Sequence, residues 1–496
     1  MKHRIGLVAL GIGVALIDCS TQHGGSPSGT GGSTGTGGAM QASGGASATG
    51  GAIGTGGSPG SGGAPGSGGG TPSSGGQAGT AAGAGGQIGA AGHGGSQGGA
   101  AGAPPTAASA CNGSVHSSAA AGPTPPSIAL TVPSGFTLTN IAQVSKARQL
   151  VALPNGDLLV ATNANSAYLI PNADAATAPG APVVFTTPGE SSAQGIAFDA
   201  KSCTVYLSSQ HNIYAMAYKD GQQSATSGAA IAMVRGGSIS PNRPSGDTDN
   251  HTSTSVTVAG GALYAGVGSS CNACVESDAT RASVQQFDLK GANMTTRATR
   301  FRNAIALTEN PATGTLWAGG AGQDDLTSGH PFEFFDAVGL HSGVADYGWP
   351  ACEENHTAYQ SGASCASTVA PLVELPAYST IIGAAFYPTG QTGAYAFPSS
   401  YQGGVFLAAH GSWHTNSDGS YASVPQVVFV PMSGDAPATP VNWTDPTKQW
   451  TVFVGGFQKS DGKTRIARPT GVAVGPLGSL FVSDDQNGYI IRVRPN

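Results

Sequence analysis

Residues Arg148–Asn163 read "RQLVALPNGDLLVATN". Two apolar runs flank Pro154, Asn155 and Gly156, residues that suit the backbone angles of a tight turn. A pair of apolar runs folded about such a turn is the signature of a β-hairpin. The same phrase recurs down the chain. "QGIAFDAKSCTVYLSS" starts at Gln194, "SVTVAGGALYAGVG" at Ser255 and "NAIALTENPATGTLWAGG" at Asn303. "IIGAAFYPTG" at Ile381 is completed by "GGVFLAAHGSW", and "PTGVAVGPLGSLFVSDDQNGYIIRVRP" runs from Pro469. These make six copies, and no stretch carries a long helical period. Six hairpin-bearing units in one chain imply an all-β, six-bladed β-propeller. Uneven spacing places long insertions between blades. A β-sandwich or barrel is the structural alternative.

The repeats do not fill the 496 residues. Much of the glycine (79 residues in all) sits between Gly24 and Gly102, in runs such as "GTGGSPGSGGAPGSGGG". Such a segment has too few apolar side chains to offset the entropy of ordering its backbone. Residues 20–125 are therefore expected to form a disordered Gly/Ser/Ala-rich linker, leaving 126–496 for the propeller. The start, "MKHRIGLVALGIGVALIDCS", has a basic end, a short apolar run and then Cys19. Residues 1–19 read as an export signal whose cysteine resembles a bacterial lipoprotein acceptor. The expectation is an exported domain, tethered by lipid to the outer membrane. A net charge of −6 lacks the basic excess of a nucleic-acid binder.

Cys111, Cys203, Cys271, Cys274, Cys352 and Cys365 remain once Cys19 is set aside. An even number outside the cytosol reads as disulfides. Cys352–Cys365 closes a short loop, and Cys271–Cys274 can close within its own turn. Cys111–Cys203 is then the remaining pair. A zinc site is the rival reading of the CxxC, but no second CxxC or HxxxH accompanies it.

Several stretches, in order, carry a family likeness: "PSGFTLTNIAQVSKARQLVALPNGDLLVAT", "HTSTSVTVAGGALYAGVGSSCNAC", "RFRNAIALTENPATGTLWAGGAGQDDL", "ADYGWPAC", "AAHGSW" and "RPTGVAVGPLGSLFVSDDQNGYIIRVR". Together they resemble the glucose/sorbosone dehydrogenase family, and the "GSSCNxC" and "HGSW" stretches its sorbosone dehydrogenase branch. Members are six-bladed propellers that oxidise sugars or aldehydes with pyrroloquinoline quinone (PQQ) and calcium. The resemblance implies a small sugar or aldehyde substrate and a membrane quinone or cytochrome as electron acceptor.

It also implies roles for residues. His251 stands at the position of the general base, where an imidazole with a pKa near 6.5 suits proton removal at neutral pH. Arg302 and Asn303 match a pair beside the quinone, the guanidinium stabilising charge on the quinone oxygen. Gly322 and Gln323 match a loop whose backbone carbonyls help hold calcium. Arg281, Lys459, Arg465 and Arg468 are the basic candidates for the PQQ carboxylates, Arg468 foremost. Asp484 and Asp485 read as turn residues.

The chain departs from the family pattern at several positions. His414 and Thr415 follow "HGSW" where Asn-Arg is usual, Tyr378 replaces a histidine, and Gln323 stands where arginine is common. Thr252-Ser253 replaces a Thr-Arg after His251. These losses of cations define an alternative, a PQQ-free tethered propeller that binds carbohydrate or a partner protein.

Overall fold

The computed structural model describes residues 111–118, 120–234, 251–326 and 329–496. The expected signal and Cys19, with residues 20–110 of the expected linker, lie outside the described residues. In the rest, six mainly antiparallel sheets of four or five strands form propeller blades, beside two short two-stranded sheets. Blade one is Ala147–Ala152, Leu158–Thr162, Ala167–Ile170 and Val183–Thr186. Blade two is Gly195–Asp199, Thr204–Ser208, Asn212–Ala217 and Ala232–Met233. Blade three is Thr254–Ala259, Ala262–Val267, Ser283–Phe287 and Thr295–Thr299, with Ala345–Asp346 added in parallel. Blade four is Ala304–Asn310, Thr315–Gly320, Glu333–Asp336 and Val373–Leu375. Blade five is Ile381–Phe386, Val405–Ala409, Gln426–Val430 and Thr451–Val454.

Every repeat quoted above is the inner hairpin of one blade, and the first strands adjoin one another in a ring. Blade six is assembled from both ends of the domain. Its first three strands are Pro469–Val474, Leu480–Asp484 and Tyr489–Pro495. The fourth is Phe136–Gln143, antiparallel to the last, with Phe136 opposite Pro495 and Gln143 opposite Tyr489. Joining the ends this way closes the ring by backbone hydrogen bonds and covers an otherwise open edge.

The core lies in layers between blades rather than at one centre. Leu159 and Ala161 of blade one meet Ile196 and Val205 of blade two, whereas Leu158 and Val160 meet Phe481 and Ile490 of blade six. Successive strand residues face opposite ways, so each blade feeds two layers. This explains why "LLVAT" at Leu158–Thr162 is buried on both faces rather than on alternate residues. Two inner-strand glycines mark close approaches between blades. A Cβ on Gly383 would fall 2.0 Å from the Thr470 carbonyl oxygen, and one on Gly471 would fall 2.3 Å from that of Arg148.

All three cysteine pairs read from the sequence form: Cys111–Cys203, Cys271–Cys274 and Cys352–Cys365. Ordered packing begins before the Pro126 boundary expected from composition. Ser117 donates to Asp157 at 2.5 Å, and the Gly113 and Ser114 amides donate to Asp220 at 2.7 and 3.1 Å. Composition missed this strap because polar anchors and one disulfide, not apolar burial, hold it to blades one and two. The crosslink spans 92 residues of sequence, so Cys111→Ser/Cys203→Ser is expected to cost about 2–4 kcal/mol. Urea unfolding of the oxidised variant and parent reads this, and equal midpoints would show that the strap contributes no stability.

Candidate active site

The inner strands all enter the ring in the same sense, so the residues opening them gather at one mouth of the channel. Arg148, Gln194, His251, Asn303, Thr380 and Arg468 each open or precede an inner strand. Below them Gln149 spans blades one to three, donating to the Val256 carbonyl at 3.0 Å and accepting from the Ile196 amide at 3.1 Å.

His251 lies just ahead of the blade-three hairpin. Its Nδ1 is 2.8 Å from Ser269 Oγ and 3.2 Å from the Ser269 carbonyl oxygen. Asn303 is its neighbour from blade four: a Cβ on Gly268 would lie 2.3 Å from His251 Cβ and 2.7 Å from Asn303 Oδ1. Glycine at 268 is what lets the two side chains come together. Asn303 is 6% exposed, and its Oδ1 is buried with no hydrogen-bond partner. A buried orphan acceptor costs stability unless a ligand or water meets it.

Arg302 is held by the loops around it. Its guanidinium is buried and donates to Asn272 O at 3.0 Å, Asn272 Oδ1 at 2.9 Å, Gly322 O at 2.5 Å and Asp324 Oδ2 at 2.8 Å. It therefore braces the blade-three and blade-four loops. Burial pushes the Asp324 carboxyl up, but the Arg302 guanidinium and then His414 outweigh it, holding the carboxyl at about 2. The Gly322 carbonyl, expected to meet calcium, accepts from Arg302, which makes it a poorer metal ligand than a bare carbonyl. The Gln323 side chain is buried and donates to Pro350 O at 3.0 Å and Glu353 Oε2 at 2.7 Å.

Burial raises Glu353 to about 7, against the opposing pull of Gln323 and Arg302. Its folded value thus lies above the unfolded value of 4.5, so the folded chain holds an extra proton between them. The contribution to stability is full below the unfolded value and is lost as pH rises towards the folded one. Glu353→Gln should remove this fall. Urea unfolding of both proteins at about pH 5 and about pH 8 should show the parent losing more stability, and parallel losses would refute the assignment.

On the opposite side of the mouth a second cluster forms. Asp485 pairs with Arg148 at 2.7 Å and with His410 Nε2 at 3.1 Å. Arg468 donates to the carbonyls of His410 and Gly411 at 3.3 and 3.0 Å. Burial, then the charge of Arg468, lowers His410 to about 4, so it stands neutral at pH 7 and donates to Asp485. Burial works against ionisation of Asp485, yet His410, Arg148 and Arg468 hold it well below the usual carboxylate range. Asp484 is the turn residue expected, accepting from the amides of Arg468, Gln486 and Asn487. Asp485 is not: it joins the site. The sequence offered a signal for this cluster in "HGSW" and in the arginine opening the first repeat, but nothing that brought them to Asp485.

Of the other basic candidates, Arg465 lies over the Tyr421 ring at 3.6 Å, and Arg281 is buried in the loop after the CxxC. No contact places Lys459 at the mouth. Two departures from the family pattern meet in space. The Tyr378 and His414 rings are 4.5 Å apart, and His414 Nε2 lies 3.4 Å from Asp324. The substituted residues thus form one compensated patch, not two unrelated losses.

Six blades surround a polar mouth that bears His251, the orphan Asn303 amide oxygen and an arginine cluster, a six-bladed β-propeller with a candidate site at one end of its channel. The chain belongs to the TrAA12-like family, whose model matches residues 130–354 and 341–496. Among solved structures it is similar to the holo form of the pyranose dehydrogenase PQQ domain from Coprinopsis cinerea. That likeness has a TM-score of 0.60 and 18% identity, covering 76% of this chain and 100% of the other. It is also similar to an iodide structure of the Trichoderma reesei carbohydrate-active enzyme of family AA12, with a TM-score of 0.59, 17% identity and coverage of 74% and 98%. At these identities the likeness establishes the fold. An uncharacterized protein of Borreliella burgdorferi is 24% identical over 196 residues, 39% of this chain and 46% of that protein. The match thus spans about half the length of that curated relative.

Proposed function

We propose that this protein is an exported sugar oxidoreductase that oxidises a sugar or sugar-derived aldehyde with PQQ. The observation that carries the reading is the pairing of His251 with the orphaned Asn303 Oδ1 at the channel mouth, opposite Arg148 and Arg468. When bound, PQQ supplies an electrophilic quinone that accepts hydride from the substrate carbon. His251 takes the substrate hydroxyl proton, its ring held in place by Ser269. Asn303 gives a polar contact to the cofactor, and Arg148 and Arg468 attract its carboxylates. Arg302 and Asp324 keep the intervening loop rigid. Pyranose dehydrogenase from Coprinopsis cinerea, named for PQQ and a pyranose, supports the same class of substrate and cofactor.

Calcium fits less well. Gly322 O is already engaged, and the described residues bring together Cys271, Cys274 and Glu276 as their one group of potential ligand side chains. Both of those cysteines are disulfide-bonded, which leaves Glu276 as the one side chain of that group able to ligate a metal. The export signal, the lipoprotein-like Cys19 and three disulfides support placement at the bacterial outer membrane, with a membrane quinone or cytochrome taking the electrons.

Titration of the purified protein with PQQ, with and without Ca²⁺, tests the reading: quinone absorbance should shift and aldoses should reduce a dye. Absence of PQQ binding at micromolar concentrations would sink it and favour the PQQ-free carbohydrate or protein binder. Thr415→Arg restores the missing cation, and one charge-assisted hydrogen bond contributes about 1.5–3 kcal/mol. PQQ is therefore expected to bind roughly tenfold tighter or more in this variant, read by the same absorbance titration. Unchanged affinity would show that position 415 does not reach the cofactor.

A further inference from the structure

The hydrogen bonds around Ser269 fix a proton. Ser269 is fully buried, and its hydroxyl donates to the Cys271 carbonyl at 2.7 Å. A hydroxyl has a single proton, so Ser269 Oγ accepts from His251 Nδ1 at 2.8 Å. The Ser269 carbonyl, 3.2 Å from the same nitrogen, also can only accept. Neutral His251 thus carries its proton on Nδ1, and the basic lone pair is on Nε2.

What holds the relay is the CxxC ring. Cys271 is fully buried and joined to Cys274, with Ala282 and Trp349 packed against the pair. Asn272, inside the ring, is a junction. Its carbonyl accepts from Arg302 Nε and Trp349 Nε1, both at 3.0 Å. Its side chain accepts from Arg302 and from the Asp324 amide, and donates to the Asp324 carbonyl at 3.1 Å. The Ser269 amide in turn donates to the Arg302 carbonyl at 2.8 Å.

We propose that Ser269 is a positioning residue that sets the tautomer of His251, through a relay anchored by the Cys271–Cys274 ring. The inference deepens the reading of His251 as the base and rests on it. It gives the disulfide a task beyond stability: the clip keeps the Cys271 carbonyl where the Ser269 hydroxyl must point. A free imidazole has no such bias, and a base with its proton on the wrong nitrogen cannot take one from substrate.

The test is ¹⁵N NMR of histidine-labelled protein without cofactor, above the imidazole titration range, with His251 assigned by loss of its signals in His251→Gln. Wild type should show His251 as the Nδ1–H form. Ser269→Ala should convert it to a mixture containing Nε2–H, whereas Ser269→Thr, which keeps a hydroxyl, should restore the wild-type form. Cys271→Ser/Cys274→Ser should also give a mixture, and it decides the matter if Ser269→Ala does not fold. An Nε2–H signal in wild type, or an unchanged Nδ1–H form in both Ser269→Ala and the double variant, overturns the proposal. The measurement needs no PQQ, so its outcome is separate from the cofactor titration. A locked Nδ1–H tautomer in a protein that binds no PQQ would leave the relay standing and remove the enzymatic reading.

Discussion

His251→Ala is expected to lower turnover of the PQQ-loaded protein by about 10²–10⁴-fold while leaving PQQ affinity within about twofold. The range is that of a positioned general base, whose loss leaves solvent water to take the proton. Affinity should hold because Arg148 and Arg468, the cations proposed to attract the cofactor's carboxylates, lie in the other cluster, around Asp485 and the His410 carbonyl. A fall in kcat with unchanged PQQ affinity therefore marks proton transfer. A fall in affinity with unchanged kcat would make His251 a cofactor ligand, and equal turnover would remove it from the mechanism altogether. Gly268→Ala is the structural companion, since the new methyl would collide with His251 and Asn303 at once.

Trp317→Ala is expected to cost about 3–5 kcal/mol, the range for removing a large buried aromatic side chain. Trp317 lies fully buried in the second strand of blade four. It stacks on Phe335 with centroids 5.0 Å apart and meets Phe386 of blade five edge-on at 5.6 Å. Its Nε1 donates to Asp435 at 2.9 Å, a carboxylate that also ties Asn310 and Thr315. Truncation thus empties the layer between two blades and strips one donor from that carboxylate. Whole-domain stabilities are about 5–15 kcal/mol, so the loss is a large share of the total. Urea unfolding should show a lower midpoint at an unchanged slope, with Trp317→Phe losing far less. A cost below about 1 kcal/mol would mean that the inter-blade layer relaxes around the gap.

The hairpins were legible because they are local. Asn155-Gly156 between two apolar runs specifies its turn within 16 residues, and six such units in order specify the ring. The disulfides were legible for a similar reason, since two of the pairs are close in sequence and the third is what remains. His251 and Asn303 were found through the family likeness, and the structure adds why they meet: glycine at 268 admits both. The compensated patch of Tyr378, His414 and Asp324 was visible in the sequence only as separate departures.

What the sequence determined by itself is periodic and short-range: blade number, the inner hairpin of each blade, the cysteine pairs and the candidate base. Blade number and inner hairpins follow from turn chemistry and apolar patterning within a few dozen residues, the cysteine pairs from spacing and elimination, and the candidate base from the family resemblance. Tertiary structure alone decided the rest. It joined Phe136–Gln143 to Tyr489–Pro495, strapped residues 111–118 across blades one and two, and tied Arg302 to the loops of blades three and four. It also brought Asp485 to Arg148 and His410, residues separated by 337 and 75 positions. Ring closure sets those contacts, because the loops that meet at the channel mouth belong to different blades and carry no shared local signal.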